Sequence, residues 1–336
     1  MQEKGYQLNA LPATGEVTFL ALAVEKELKP KRAGGLFLHV KLADRTGELD
    51  AKAWDCPEEV SQTFAPGDVV KVRGTLERYN DRPQLIIGRI RRCVDGEYDE
   101  RDYWPASTRD PEEMYGQLLA FIEMVGRDAL RTLLRSIVSD PAVAPKLKVA
   151  PAAMKVHHAF RSGLLEHITS LCDLAVMLSG KYERLDLDLL IAGAILHDLA
   201  KVECLETVGV GFAYTREGLL VDHVGLGLLM LERHCNLVGD FPAELKAVLQ
   251  HLVISHHGDL DKGALRLPML PEAQALHFMD MLDARMEQMF RLINQDTGTG
   301  EFTAYVPSLS RQLFRGLSEQ EEKCGGQTAV AEVASE

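Results

Sequence analysis

The spacing of apolar residues changes once along this chain, and that change limits the fold more than any other feature. Between residues 15 and 93 they fall in short runs rich in β-branched and aromatic side chains: Val17 to Leu28, Leu36 to Leu42, Glu48 to Trp54, Val69 to Leu76 and Gln84 to Ile90. Gly34-Gly35, Asp44-Arg45-Thr46-Gly47, Pro66-Gly67-Asp68 and Asn80-Asp81-Arg82-Pro83 supply the turn chemistry between them. From Met114 the spacing becomes helical, with Leu118, Phe121, Ile122 and Val125 at i, i+3, i+4 and i+7, and similar stretches run to about Ile293. Asp95 to Glu113 is acidic, holds two prolines and shows neither period, so it reads as a linker. The pattern predicts an α+β chain of two domains.

Pro57 to Phe64 has room for one short helix between the third and fourth strands. Five strands with a helix inserted after the third is the layout of an OB-fold barrel. The expected divisions are residues 1–94 for this barrel, 95–113 for the linker and 114–315 for an all-helical domain with a hairpin around Gly209 to Leu219. The tail, 316–336, turns polar and small and is expected to be disordered. At 336 residues and 46% hydrophobic content, two cores can be filled.

Charge separates the two parts. The net charge is −13, but through Arg92 there are 15 Lys and Arg against 13 Asp and Glu. The first part therefore meets a polyanion more readily than the whole chain does. The six cysteines are scattered without a C-x-x-C pair and read as reduced core thiols, so any metal must rely on nitrogen and oxygen ligands. No uncharged apolar run reaches the roughly 18 residues of a membrane span. The first residues lack the basic-then-apolar order of a signal peptide, so no membrane partner and a cytoplasmic location are expected.

Ten of the eleven histidines follow residue 150, several at positions where a helix should carry an apolar residue. His167 shares the stripe of Leu164, Ile168, Leu171 and Ala175. His197-Asp198 closes the apolar stretch LLIAGAIL, where a carboxylate is costly without a cation. His223 opens the helix VGLGLLML, His256-His257 ends the helix AVLQHLVIS before Gly258, and Asp280 and Asp283 lie one turn apart on a later helix. A single buried histidine such as His157, His234, His251 or His277 is ordinarily a hydrogen-bonded core residue. His167, His197, Asp198, His223, His256, His257 and Asp280 together form a metal-ligand set. Imidazoles and carboxylates suit Mn, Fe, Co, Zn or Ni, and seven ligands exceed what one ion needs, which favours a two-ion site.

The H…HD…D order resembles the HD phosphohydrolase superfamily. The longer strings VHHAFRSGLLEHITSL, DLLIAGAILHDLAKVECL, DHVGLG, LVISHHG and PEAQALHFMDMLDARM resemble the YhaM-type 3′ to 5′ exoribonucleases, which join an OB-fold to an HD domain. The resemblance implies that His167, His197, Asp198 and Asp280 are the basic ligands, and that His223, His256 and His257 are the additional histidines of a binuclear site. It also implies that Asp198 and Lys201 carry the catalysis, with Lys201 facing the scissile phosphate; the plainer alternative is a surface lysine at a helix end. Asp283 is either a partner of a ligand or a helix-surface acid. The stretch DLDKGALRLPMLPEA departs from the Gly-Ser-Pro segment expected near Lys262 to Leu265.

On the barrel, Phe37, His39, Trp54 and Tyr79 are candidates to stack bases, and Lys41, Lys52, Arg73, Arg78 and Arg82 to meet phosphates. Phe37, His39 and Lys41 alternate along one strand with Leu36, Leu38, Val40 and Leu42; the leucine side fills a core better, leaving the first set outward. The resemblance implies hydrolysis of single-stranded RNA, with single-stranded DNA as an alternative, to nucleoside 5′-monophosphates. The cofactor expected is a divalent metal, two ions, Mn²⁺ first and Co²⁺, Fe²⁺ or Mg²⁺ as alternatives; a homo-oligomer is compatible with the sequence. Two other readings stay open: an HD phosphohydrolase of a small nucleotide with a regulatory barrel, and a catalytically idle RNA-binding protein.

Overall fold

A computed structural model describes residues 7–316, apart from 32–33, 45, 56, 80–81, 95, 100–101, 104–105, 155–157, 209–210, 297 and 299. His157, Cys56, Cys324 and the tail expected to be disordered lie outside the described residues. Among those described, Cys93, Cys172, Cys204 and Cys235 are buried free thiols.

Five strands close a barrel in the order β1-β2-β3-β5-β4: β1 (Gly15–Pro30), β2 (Leu36–Asp44), β3 (Gly47–Ala53), β4 (Val69–Tyr79) and β5 (Arg82–Arg92). The short helix α1 (Pro57–Ser61) sits between β3 and β4, so the arrangement is that of an OB-fold. Neighbouring strands are antiparallel except β3 and β5, whose parallel pairing closes the barrel. Alternation decides the two faces. Leu38, Val40 and Leu42 of β2 are buried with Phe19, Ala21, Ala51, Val70, Val72 and Leu85, while Phe37, His39 and Lys41 point the other way. Where β4 is bulged at Arg73/Gly74, a Cβ on Gly74 would meet Ile86 O at 2.2 Å, so only glycine lets β5 approach. After β5 the chain does not leave the barrel at once. Tyr98 and Tyr103, within the expected linker, pack on Leu22, Val69 and Cys93.

The first long helix, α2 (Pro111–Met124), begins three residues before the helical spacing becomes visible. Asp110 accepts hydrogen bonds from Glu112 N and Glu113 N, and Pro111 occupies the first turn, so acidic residues taken for linker are a capped helix start. There follow α3 (Asp128–Val138), α4 (Ala144–Leu147), α5 (Gly163–Lys181), α6 (Leu187–Leu199), α7 (Lys201–Cys204), α8 (Arg216–Val238), α9 (Ala243–Ser255) and α10 (Pro271–Gln295). Every residue of α6 from Leu190 to Leu199 is buried, and the helix packs against α2, α3, α5, α8 and α9. A helix apolar on all sides must be surrounded.

The hairpin expected around Gly209 to Leu219 is displaced toward the N-terminus. Its strands are β6 (Leu205–Val208) and β7 (Gly211–Tyr214), and Arg216 already begins α8, capped by the Thr215 side chain on Gly218 N. That cap starts the helix inside the span expected for the hairpin. The helical expectation to residue 315 also runs too far, because helix stops at Gln295. The described residues fall into two compact units, one reaching Asp280 and one starting at Met281. In the second, Asp296 gathers Gly298 N, Ala304 N and the Arg315 side chain, so a side chain replaces the helical ladder. No helix of the described residues is long and apolar enough to cross a membrane.

Candidate metal centre and nucleic-acid interface

His197 and Asp198 come from the last turn of α6, the most enclosed helix of the domain. Around them stand His167 from the first half of α5, His223 from α8, His256 and His257 from the end of α9, and Asp280 from α10. His167, His197, His256 and Asp198 are at most 3% exposed and His223 is 8% exposed. All seven side chains singled out from the sequence therefore converge, carried by five helices.

Within the unit that reaches Asp280, two groups of described ligand atoms each lie within 4.8 Å of one another: His167, His197 and Asp198, and His223, His256 and His257. Asp198 lies between them. Its Oδ2 is 3.5 Å from His197 Nε2, and its Oδ1 is 3.3 Å from His223 Nε2 and 3.8 Å from His256 Nε2. Asp280 Oδ1 is 3.3 Å from His167 Nε2, which is itself 3.3 Å from His197 Nε2.

The hydrogen bonds show which ring nitrogens are available. Nδ1–H of His197 donates to Ala194 O at 3.0 Å, and Nδ1–H of His256 donates to Val253 O at 2.7 Å. A carbonyl can only accept, so the proton is on Nδ1 and the lone pair on Nε2. Nδ1–H of His277 in turn braces His256 by donating to its carbonyl at 3.0 Å. Gly258, at φ +82°, ends α9 there because a Cβ would lie 2.3 Å from the His277 ring. His223 Nε2, His256 Nε2, His257 Nδ1 and Asp198 Oδ1 are buried without a hydrogen-bond partner. Ring nitrogens without a partner, packed beside a carboxylate, fit a cation.

Electrostatics agrees with that fit. Burial opposes the charge on Asp198, but Lys201, His197, His223 and His256 outweigh it and hold the carboxyl well below its ordinary value. Burial likewise opposes ionisation of Asp280, and the His167 hydrogen bond overcomes it. Burial pushes His256 down to about 3 and lowers His197 and His257. Neutral imidazoles and ionised carboxylates are the ligating forms. Lys201 Nζ lies 2.5 Å from Asp198 Oδ2; burial favours the neutral amine, yet the Asp198 charge raises its pKa above the ordinary lysine value.

Three histidines treated singly as core residues stay outside the cluster's ligand pairs. His234 contacts Ser136 at 3.0 Å and Asp140 at 3.5 Å, His251 accepts from Met269 N at 2.9 Å, and His277 is the brace just described. Two residues near the centre escaped the sequence reading. His158, 3% exposed, has its ring 5.3 Å from that of His167, but sits in a loop whose lack of period gives it no face. Asp222 touches His223 and breaks α8.

On the barrel, the register pairs His39 with Lys52 and Lys41 with Asp50, and places Phe37 opposite Trp54. Their rings stack at 4.8 Å, with Lys52 Nζ 5.6 Å from the Phe37 ring and 5.8 Å from that of Trp54. Lys31, missed because it lies in a turn, donates to Trp54 O at 2.8 Å and sits 5.6 Å over the same ring. The expected basic track is interrupted: Asp50 lies 3.0 Å from His39, Glu48 2.8 Å from Lys41 and Glu16 3.1 Å from Arg73. Arg73 and exposed Arg78 are on β4, separated from the β2–β3 face by β1 on one side and β5 on the other. The side chains of Tyr79 and Arg82 lie outside the described ones.

Comparison with known proteins divides the chain at the same place. Residues 14–92 match the family model described as OB-fold nucleic acid binding domain, and residues 164–285 match the model of the HD domain. Residues 164–285 are an HD domain. HD domains are metal-dependent phosphohydrolases, so an OB-fold of nucleic-acid-binding type precedes a hydrolase fold. Among solved structures the chain is similar to the PriB protein of Ralstonia solanacearum, at 18% identity over 24% of this chain and 98% of that one, TM-score 0.22. It is also similar to a small single-stranded DNA-binding protein from Streptomyces coelicolor, at 16% identity over 24% and 92%, TM-score 0.20. A single-stranded DNA binding protein from Thermus aquaticus is 23% identical over 28% and 46%, TM-score 0.23. Likeness at that level does not extend to what this chain binds.

Proposed function

We propose that the protein is a metal-dependent 3′ to 5′ exoribonuclease of the YhaM type, shortening single-stranded RNA to nucleoside 5′-monophosphates. The observation that carries the reading is the placement of Asp198 between two histidine groups, with orphaned acceptor nitrogens, in an HD domain preceded by an OB-fold. In this reading residues 1–94 hold the strand, 95–113 connect, and 114–315 hydrolyse. His167, His197, Asp198, His223, His256, His257 and Asp280 would hold the divalent metal, two ions in this reading, with Mn²⁺ the ion expected. Once bound, such ions supply Lewis acidity at phosphorus and a nucleophilic water near neutral pH.

The chain's own groups do the rest. Burial lowers His197, His256 and His257, so at pH 7 no proton competes for these three ligand positions. Lys201 keeps its charge and stands beside Asp198, where it can meet a non-bridging phosphate oxygen. The Phe37–Trp54 pair with Lys52 offers a platform for a base and its phosphate. Water oxygen bonds to phosphorus and gives up a proton, the bond to the 3′ oxygen of the preceding nucleotide breaks, and that oxygen takes up a proton in return.

End-labelled single-stranded RNA with Mn²⁺ tests this. The expected result is a ladder of strands shortened from the 3′ end, abolished by EDTA, with a 3′-blocked strand resisting and a circle untouched. Cutting of the circle overturns the exonuclease reading; cleavage of free nucleotides alone favours a small-nucleotide hydrolase; no product leaves an RNA-binding protein.

A further inference from the structure

A histidine ligand is aimed by whatever its other ring nitrogen holds. His197 and His256 use backbone carbonyls three residues back, Ala194 O and Val253 O, which any sequence in a helix provides. His223 lacks that device. It begins the second segment of α8, directly after a break at Asp222, so the preceding turn does not supply a carbonyl in helical position.

Asp222 supplies the partner instead. Its Oδ1 is 2.6 Å from His223 Nδ1 and 2.6 Å from His223 N, one carboxylate oxygen serving ring and backbone together. An ionised carboxylate only accepts, so Nδ1 bears the proton, and in the neutral ring Nε2 keeps the lone pair. That Nε2 is buried, has no hydrogen-bond partner, and faces Asp198 Oδ1 at 3.3 Å. In the neutral ring this nitrogen and the Asp198 oxygen are both acceptors, and a cation between them satisfies both. To make this contact Asp222 adopts φ 64° and ψ 164°, a region that glycine occupies and residues with a Cβ avoid. The side chain is 69% exposed, so neither burial nor packing of the carboxylate accounts for the strain.

We propose that Asp222 is a positioning residue of the metal centre, breaking α8 so that its carboxylate fixes the tautomer of His223 and turns Nε2 toward Asp198. The proposal rests on the reading of His223 as a metal ligand. Asp222→Gly separates this role from a structural one, because glycine takes the observed backbone freely while losing the acceptor. In metal-free protein, the Gly variant should melt at or above the wild-type temperature, and ¹⁵N NMR should show the His223 ring passing from one tautomer to a mixture. Its Mn²⁺ affinity, by calorimetric titration, should fall roughly 10- to 100-fold. Asp222→Asn keeps an acceptor oxygen and should recover most of that loss. A Gly variant with wild-type tautomer and wild-type Mn²⁺ affinity overturns the proposal alone. A Gly variant that melts lower, with its tautomer unchanged, also overturns it in favour of a structural role. Wild-type protein that takes up no Mn²⁺ overturns the metal reading as well, and the proposal with it.

Discussion

The barrel and the HD domain treat polar side chains in opposite ways. In the barrel the candidate contacts of β2 are outside: Phe37, His39 and Lys41 alternate with buried Leu38, Val40 and Leu42, and His39 and Lys41 are paired near solvent with Asp50 and Glu48. In the HD domain the candidate site is inside, a buried carboxylate among buried imidazoles. The barrel's interface can thus be altered without disturbing its core, whereas the HD domain's site is part of its core. That difference implies that metal, fold and activity are linked in one domain and separable in the other.

The most severe test is Asp198→Ala. It removes the one carboxylate shared by both histidine groups and the partner of Lys201, so hydrolysis should fall by more than about 10³-fold. Bound metal, measured by elemental analysis, should fall with it, while RNA affinity through the barrel stays near wild type. Metal content equal to wild type would break the comparison.

Acid should divide the two domains next. His256 is held down to about 3 by burial, and His197 and His257 are lowered by the same cause. Unfolded histidines take up protons near pH 6.5 and these do not until lower pH, so the unfolded state binds more protons in that window. Stability of the metal-free HD domain is then complete above about pH 6.5 and is lost progressively as pH falls toward 3. The barrel, with His39 as its one histidine, should show no such loss between pH 6.5 and 5. Hydrogen exchange followed across pH, corrected for its intrinsic pH dependence, reads both domains in one sample; parallel weakening would remove the distinction.

Phe37→Ala sharpens the barrel side. Losing one stacking partner should cost about 1 to 3 kcal/mol of single-stranded RNA affinity, roughly 5- to 150-fold in Kd, with little change in melting temperature. The loss should appear in KM on long RNA, with kcat on short oligonucleotides nearly unchanged. Smallest of all is Arg73→Ala. Its exposed pair with Glu16 lies on β4, apart from the β2–β3 face, so RNA affinity should move less than about twofold and stability by less than about 0.5 kcal/mol. A drop as large as that of Phe37→Ala would show that the binding surface wraps the barrel.

Much of this was legible in the chain itself. Period 2 placed Phe37 outside and Leu38 inside, because alternation is a property of one strand and needs no neighbour. A change to period 3.6 announced the helices, and polar residues in apolar stretches, His197 and Asp198 above all, marked the centre, because burying such groups is costly without partners. Caps were read less well: Asp110 and Thr215 start helices where composition suggested linker and hairpin.

Tertiary structure decided what lies between elements. The order of strands around the barrel removed Arg73 from the face that Phe37 and Trp54 share, and cross-strand acids divided a basic track that looked continuous along the chain. The packing of α5, α8, α9 and α10 around α6 determined which oxygen of Asp198 meets which histidine, and the break at Asp222 determined how His223 is turned. Periodicity assigns a residue to a face of its own helix or strand. Distances across a site depend on how several such faces meet, and that is set by the packing of the whole core.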